Sequence, residues 1–311
     1  MKIIYMGTPD FAVAPLEALI DKGHQIVLVV TQPDREKGRG KELAMSPVKE
    51  CALKHGIEVF QPPKIREEES VNYLRRYDAD ICVVAAFGQI VSEEILNMPK
   101  YGCVNIHASL LPKYRGAAPI QWAILNGEKV TGVTIQQMAK GIDTGDILYQ
   151  KEIPITEEDT GESMFDKLMY LGAEMIAEFM PLLESGKIIP KPQDESEATH
   201  VGKISKELGH INWQDDAAKI ERYVRGLNSW PSAYTMLNGK TLKIWKSKVT
   251  HMSEKQSATP GTITAVTKDS FEVATGMGCL CVYEIQLEGK KRMSVHDFLL
   301  GFKIEEGTVL S

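Results

Sequence analysis

In the run "NIHASLLPKYRG" (105–116), an amide, an imidazole and a hydroxyl fall within five residues. If "CVNIH" (103–107) is a strand, residues two apart project to the same side, so Asn105 and His107 share a face while Ile106 points the other way. An amide N–H and an imidazole N–H side by side on a rigid element are the donors a developing oxyanion needs. Both residue types also serve the hydrogen bonding of strand ends and turns, and the run by itself leaves the two readings open. A carboxylate would extend the set. In "GIDTGDILY" (141–149) two glycines flank Asp143, and Asp143 and Asp146 are both candidates to favour an imidazolium or to relay a proton. A plain Asx turn would use the same residues.

Other stretches carry less chemistry. "TQPDREKGRGKELAMSPV" (31–48) holds Arg35, Lys37, Arg39 and Lys41, diluted by Glu36 and Glu42. It is long for a strand-to-helix turn, and such connections tend to carry function; a phosphate-binding loop and a solvated one are both compatible with it. "YMGTPDFA" lacks the further glycines of a dinucleotide fingerprint, with Pro9 and Ala12 in their slots, so it reads as a tight turn and no nucleotide cofactor is expected. Five cysteines (51, 82, 103, 279, 281) are odd in number and form no Cys-x-x-Cys pair, which reads as buried small apolar residues rather than disulfides or a thiolate metal site. The seven histidines show no His-x-x-x-His or His-Glu pairing on a helix, and no metal is expected.

The elements that must position these residues follow from periodicity. "KIIYM" (2–6), "HQIVLVVTQ" (24–32), "IEVF" (57–60), "DICVVAAF" (80–87) and "GCVNIH" (102–107) are short apolar runs with amphipathic segments between them, the pattern of a parallel sheet covered on both faces. That predicts a doubly wound, mostly parallel α/β fold, with ligand crevices at the carboxyl ends of its strands. Ser46-Pro47 reads as an N-cap with proline at the first helical position, Gly127 as a helix stop, and Thr160 as the cap of a helix running toward Gly186. Further strands are expected at 131–138 and 146–155.

The chain has 311 residues, a formal charge of -6, and 43% hydrophobic residues, an ordinary soluble composition with two domains as the natural expectation. Residues 1–187 are expected as the first domain, 188–206 as a proline- and charge-rich linker, and 207–311 as a small β-barrel with one helix near 215–228 and strands at 241–249, 261–266, 270–275 and 279–287. Residues 1–206 hold 23 Lys and Arg against 30 Asp and Glu, whereas 203–256 hold ten basic and five acidic residues, a hint of a polyanionic partner for the second domain. No apolar run is long enough for a membrane span or a signal-peptide core, which points to the cytoplasm.

In this order, "MGTPDFA", "TQPDR" followed by "GRGK", "SPVK", "GCVNIHASLLPKYRGAAPIQWAI", "TGVTIQQM", "GIDTGDIL", Ile153 to Thr160, and "NSWP" (228–231) resemble the methionyl-tRNA formyltransferases, within the wider group of enzymes that use 10-formyltetrahydrofolate. The resemblance spans nearly the whole chain. It implies a formyltransferase-like catalytic domain in which Asn105 and His107 hold the oxyanion formed when the methionine amine attacks the formyl carbon, and Asp143 assists His107 and proton transfer. It implies that Ser109, Leu110, Leu111 and Pro112 contact the folate, with backbone groups of 83–91 offered to the pterin ring. It also implies a C-terminal barrel of the oligonucleotide/oligosaccharide-binding (OB) kind. Arg39 and Lys41 of the first loop, with Lys203, Lys206, Lys243, Lys246 and Lys248, would then contact initiator methionyl-tRNA. The co-substrate would be 10-formyltetrahydrofolate, without a metal, and the enzyme a monomer. An amino-sugar nucleotide is the alternative acceptor; the Lys/Arg loop and the "NSWP" region speak for tRNA.

Overall fold

The computed structural model describes residues 1–37, 42–250 and 258–311. It divides into two compact units, one of Met1–Pro119, Val130–Pro154 and Phe165–Val201, the other of Ile120–Lys129, Ile155–Met164 and Gly202–Ser311.

The chain opens with β1 (Lys2–Gly7), α1 (Val13–Asp21) and β2 (Gln25–Val30), followed by β3 (Arg35–Lys37), β4 (Glu42–Ala44), α2 (Pro47–Lys54), β5 (Val59–Phe60), α3 (Glu68–Arg75), β6 (Ile81–Ala85), α4 (Glu93–Leu96), β7 (Cys103–His107), β8 (Arg115–Gly116), α5 (Pro119–Leu125), β9 (Val130–Gln137), β10 (Ile147–Pro154), α6 (Gly161–Glu184) and β11 (His200–Val201). The first unit is built on a seven-stranded sheet in the order β10-β9-β7-β6-β1-β2-β5. From β5 to β7 all pairings are parallel; β9 runs antiparallel to β7, and β10 antiparallel to β9. The chain builds outward from β1 on one side as far as β5, then crosses to β6 on the other. That reversal of strand order makes a crevice at the carboxyl ends of β1 and β6.

Burial explains why these runs are strands. Every residue of Ile81–Ala85 is buried, as are Ile3 to Gly7 of β1, because helices cover both faces of a parallel sheet. Thr8, just past β1, donates to the Phe87 carbonyl at 3.0 Å, and Gln32, just past β2, donates to the same carbonyl at 3.2 Å, so three strand ends are tied at the crevice. The turn after Gly7 closes with Ala12 N–H on the Pro9 carbonyl, as a tight turn should. The α2 cap is as expected: Ser46 accepts from Lys49 N at 3.1 Å and also bonds Thr31 at 2.7 Å. Thr160 caps α6 through Ser163 N at 3.1 Å.

Two features depart from the local sequence signal. Residues 35–37 and 42–44, in the stretch read as one long loop, form an antiparallel ribbon whose base is pinned by Asp34, which is ion-paired to Lys49 at 2.6 Å and bonded to Gln61 at 2.8 Å. Residues 188–206, expected as a linker, are not free chain over 191–201: Lys191 pairs with Ile147, and β11 lies parallel to β8. The compact units part between Val201 and Gly202.

The second unit contains α7 (Ala217–Gly226), β12 (Ala233–Leu237), β13 (Lys240–Thr250), β14 (Ile263–Val266), β15 (Phe271–Ala274), β16 (Cys279–Leu287), β17 (Met293–Ser294) and α8 (Val295–Gly301). Its antiparallel sheet runs β12-β13-β16-β15-β14, with β17 on β16. The segment 308–311 joins the two edges: Ile263 N bonds the Thr308 carbonyl and Leu310 N the Gly261 carbonyl beside β14, while Met236 N of β12 bonds the Ser311 carbonyl. Trp213, Ile220, Val224, Ile244, Phe271 and Phe298 are among its core residues. All five cysteines are buried and free, and among the described residues no helix is long and apolar enough to cross a membrane.

Replacing Ser46 by alanine removes both the α2 cap and the Thr31 bond. It is expected to lower stability by about 1 kcal/mol or somewhat more, read as a shifted urea midpoint with unchanged slope.

Candidate active site

Asn105 and His107 occupy the carboxyl end of β7 and, as the period of two requires, lie on the same side of the sheet. Ile106 faces the opposite side, toward α6, where Gly172 lets the helix come close: a Cβ there would lie 3.1 Å from Ile106 Cγ2. Opposite β7, the antiparallel register of β9 sets Gln136 against Asn105 and Thr134 against His107. Directly opposed side chains in such a ladder share a face, so four polar groups are gathered on one patch.

Asp143 comes to this patch from the loop between β9 and β10. Its φ of 52° lies in the left-handed region, which Asp tolerates better than most residues. Gly145 brings the loop against β9, for a Cβ on it would lie 1.6 Å from the Gln137 carbonyl oxygen. Asp146, the other candidate carboxylate, supplies its backbone carbonyl to Gln137 N at 2.9 Å.

The Asp143 carboxylate has strong and weak partners. Gln136 Nε2 donates to Oδ1 at 2.7 Å and Gly116 N to Oδ2 at 2.8 Å. Asn105 Nδ2 reaches Oδ1 only at 3.4 Å, and His107 Nδ1 lies 3.7 Å from it. His107 Nε2 is 2.9 Å from the Tyr114 carbonyl, which can only accept, so Nε2 carries a proton and Nδ1 is the nitrogen turned to the carboxylate. The short bonds fix Asp143; the long ones leave the Asn105 amide, and His107 Nδ1 when the ring is doubly protonated, able to serve a second acceptor placed between them. His107 is 7% exposed and the Asp143 side chain 14%, an environment where such contacts are strengthened by poor solvent screening.

Gln136, Gln193 and Arg115 are the residues of this site that sequence reasoning passed over. Gln193 Nε2 donates to the backbone carbonyls of Asp143 at 2.8 Å and Gly145 at 2.6 Å. Its Oε1 accepts from Arg115 at 2.9 and 3.1 Å, and Arg115, 1% exposed, also grips Glu195 at 2.7 and 2.9 Å. Arg115 thereby holds Glu195 below the usual carboxylate range. A segment some fifty residues downstream thus braces the loop that carries Asp143. The polar spacing of "QDESEAT" (193–199) resembles exposed chain, and only the long-range pairing with a buried arginine sets it apart.

The Ser109–Pro112 segment is locked by its neighbours. Ser109 donates to the Lys113 carbonyl at 2.7 Å, and the Thr134 hydroxyl donates to the Ser109 carbonyl and accepts from Leu111 N. Ser109 and Leu111 are fully buried, whereas Leu110 and Pro112 keep partial exposure and are the two side chains with surface to offer.

Of the residues expected to meet nucleic acid, Arg39 and Lys41 lie outside the described residues. Lys203, Lys206, Lys246 and Lys248 are exposed, and Lys243 is partly so. A break in the β13–β16 register between Ile244 and Ser247 turns Trp245 and Lys246 to the outer side together. The Arg292 guanidinium lies 4.6 Å and Lys243 Nζ 5.7 Å from the Trp245 ring centre. Trp245, Lys246, Lys248 and Arg292 border a cleft of about 600 Å³ within the second unit, lined also by Arg222 and Arg225. Their positive charge is partly spent, since Arg292 pairs with Glu284 at 2.7 Å and Lys248 lies 3.8 Å from Glu158.

Residues 1–180 match the family model described as formyl transferase, and residues 203–303 the one described as formyl transferase, C-terminal domain. A relative from Agathobacter rectalis named methionyl-tRNA formyltransferase is 55% identical over 308 residues, spanning 99% of this chain and 99% of its own. Among solved structures, an N-formyltransferase from Helicobacter canadensis in complex with folinic acid and dTDP-3-aminofucose superposes with a TM-score of 0.67 at 20% identity, over 94% of this chain and 100% of its own. HypX from Aquifex aeolicus in complex with tetrahydrofolic acid gives 0.60 at 18% identity, over 99% of this chain and 50% of that one. At these identities the two superpositions speak for the fold.

The Gly145 contact yields a stability test. Gly145→Ala is expected to cost about 1–3 kcal/mol in urea denaturation, because the new methyl group and the Gln137 carbonyl cannot share the space; a wild-type midpoint would contradict the close approach.

Proposed function

The chain belongs to the formyl transferase family, and from that premise we propose that it transfers the formyl group of 10-formyltetrahydrofolate to the free amino group of methionine on initiator methionyl-tRNA. The observation that carries this reading is the full-length identity to a relative of that name, joined to a site whose donors suit acyl transfer. The division of labour we propose gives the chemistry to residues 1–187 and the contacts with tRNA to 207–311 and the first loop, in a monomeric cytoplasmic enzyme.

The methionine amine attacks the formyl carbon as a neutral nucleophile, forming a C–N bond and placing negative charge on the formyl oxygen. Asn105 Nδ2 and His107 Nδ1, the latter in the doubly protonated ring, donate to that oxyanion. Their long reach to Asp143 supports this role, since neither is committed to a tight bond. The proton lost from the amine passes toward the Asp143 carboxylate, directly or through water, and the intermediate collapses as the bond to N10 of the folate breaks and that nitrogen is protonated. Donors fixed before the charge develops need no reorganisation when it appears. Leu110 and Pro112 face the folate, and Ser109 and Leu111 shape the turn that presents them. Lys203, Lys206, Lys243, Lys246 and Lys248 meet phosphates of the tRNA, with Arg39 and Lys41 at its acceptor end.

Asn105→Ala and His107→Ala are each expected to lower turnover by about a hundred- to a thousandfold while leaving the unfolding midpoint nearly unchanged. Near-wild-type turnover in either variant sinks the assignment. Gln193→Ala, which loosens Asp143 without touching substrate, is expected to lower kcat more than it raises KM. The acceptor is tested by offering charged initiator tRNA and an amino-sugar nucleotide side by side; formylation of the sugar alone would replace the tRNA reading. Affinity for the tRNA should fall as salt is raised, with Lys246→Ala reducing the log–log slope by about one.

A further inference from the structure

Away from the formyl-transfer residues, three side chains of different chemistry meet between two helices of the first unit. Glu17 lies on α1; Cys51 lies on α2, and His55 caps its carboxyl end four residues later, on the same helix face. Glu17 engages both partners at once: Oε2 is 2.8 Å from His55 Nε2, and the Cys51 thiol donates to Oε1 at 3.4 Å. One ligand-type atom from each residue can be chosen so that all three lie within 4.8 Å of one another. Cys51 is buried, Glu17 intermediate and His55 exposed, so the cluster has a wall in the protein and an opening to solvent.

We propose that Glu17, Cys51 and His55 form a binding site for a zinc-type divalent cation, with the fourth tetrahedral position open to water. Zinc bonds of roughly 2.0–2.3 Å at tetrahedral angles set ligand atoms about 3.4–3.6 Å apart. The Cys51 sulfur already stands at that spacing from Glu17 Oε1, and His55 Nε2 lies 2.8 Å from the other oxygen, Oε2, so a turn of the carboxylate and an opening of the His55 contact set one oxygen against both. The ion takes the place of the hydrogens that now join these atoms. Thiolate, carboxylate and neutral imidazole bring two negative charges against two positive ones, so the loaded centre is neutral. A soft thiolate with an imidazole selects zinc over magnesium or calcium, which favour oxygen ligands throughout. Burial, and next the Glu17 carboxylate, push the Cys51 thiol up to about 12, so loading releases a proton and weakens as pH falls. Lys54, whose Nζ is 3.9 Å from Glu17 Oε1 but whose side chain is 75% exposed, can swing away as the cation enters. An occupied site would fasten α1 to α2 and raise resistance to unfolding.

The full-length protein, stripped of metal with a chelator, is titrated with Co²⁺ as a spectroscopic stand-in and then with Zn²⁺. The expected result is one equivalent bound with a thiolate-to-cobalt charge-transfer band that Zn²⁺ abolishes. Cys51→Ala removes the band, and His55→Gln and Glu17→Gln weaken binding by about tenfold or more. His55 is exposed, so its variant keeps the fold, which far-UV circular dichroism verifies. No thiolate band in the wild type overturns the proposal, as does a band that survives Cys51→Ala. Unchanged affinity in His55→Gln overturns it too, leaving an adventitious ion only.

Discussion

One carboxylate, that of Asp143, organises the polar patch at the carboxyl end of β7. A carboxylate so little exposed must have its oxygens satisfied, and here two donors from different places do so at short range: Gln136 from β9 and the Gly116 amide from β8. Each depends on further structure. Gln136 reaches Asp143 because β9 runs antiparallel to β7 in a register that sets it opposite Asn105. Gly116 presents its N–H because β8 is paired along its length with β11. With those two bonds made, Asn105 and His107 are left as the weakly engaged members of the patch, which is the condition for donors that must answer a charge appearing only during reaction.

The sequence was most informative where structure is local. Apolar runs gave the parallel strands, and Ser46 and Thr160 announced their helices through N-cap chemistry that the side-chain bonds reproduce. A period of two sufficed to put Asn105 and His107 on one face. What could not be read were partners distant along the chain. Gln136 sits in a strand with other polar residues, and nothing local distinguishes it from Gln137, which instead bonds the Cys103 carbonyl. Arg115 carries no local sign of the pairing with Gln193 and Glu195 that accompanies its burial. Cys51 and His55 stood at helical spacing in plain view, yet Glu17, on another helix, was needed to make them a cluster.

The second unit meets its requirements differently. Its strand β13, between β12 and β16, alternates cleanly through Leu242 and Ile244, then slips register and turns an indole and a lysine to the same side. A strict alternation would have hidden one of them. The slip turns part of a lysine-rich strand, whose charge alone would mean little, into an aromatic surface flanked by cations, a combination suited to the faces and phosphates of nucleotides.

The closing segment 308–311 has a bearing on how the protein is made. It joins β12 to the region of β14, yet it comes later in the chain than every strand it connects. During synthesis the first unit can assemble from its own residues as they leave the ribosome, strand beside strand. The second cannot complete its hydrogen-bonded circuit until residues 308–311 have emerged, so the edges at β12 and β14 stay open to other chains from their own synthesis until then.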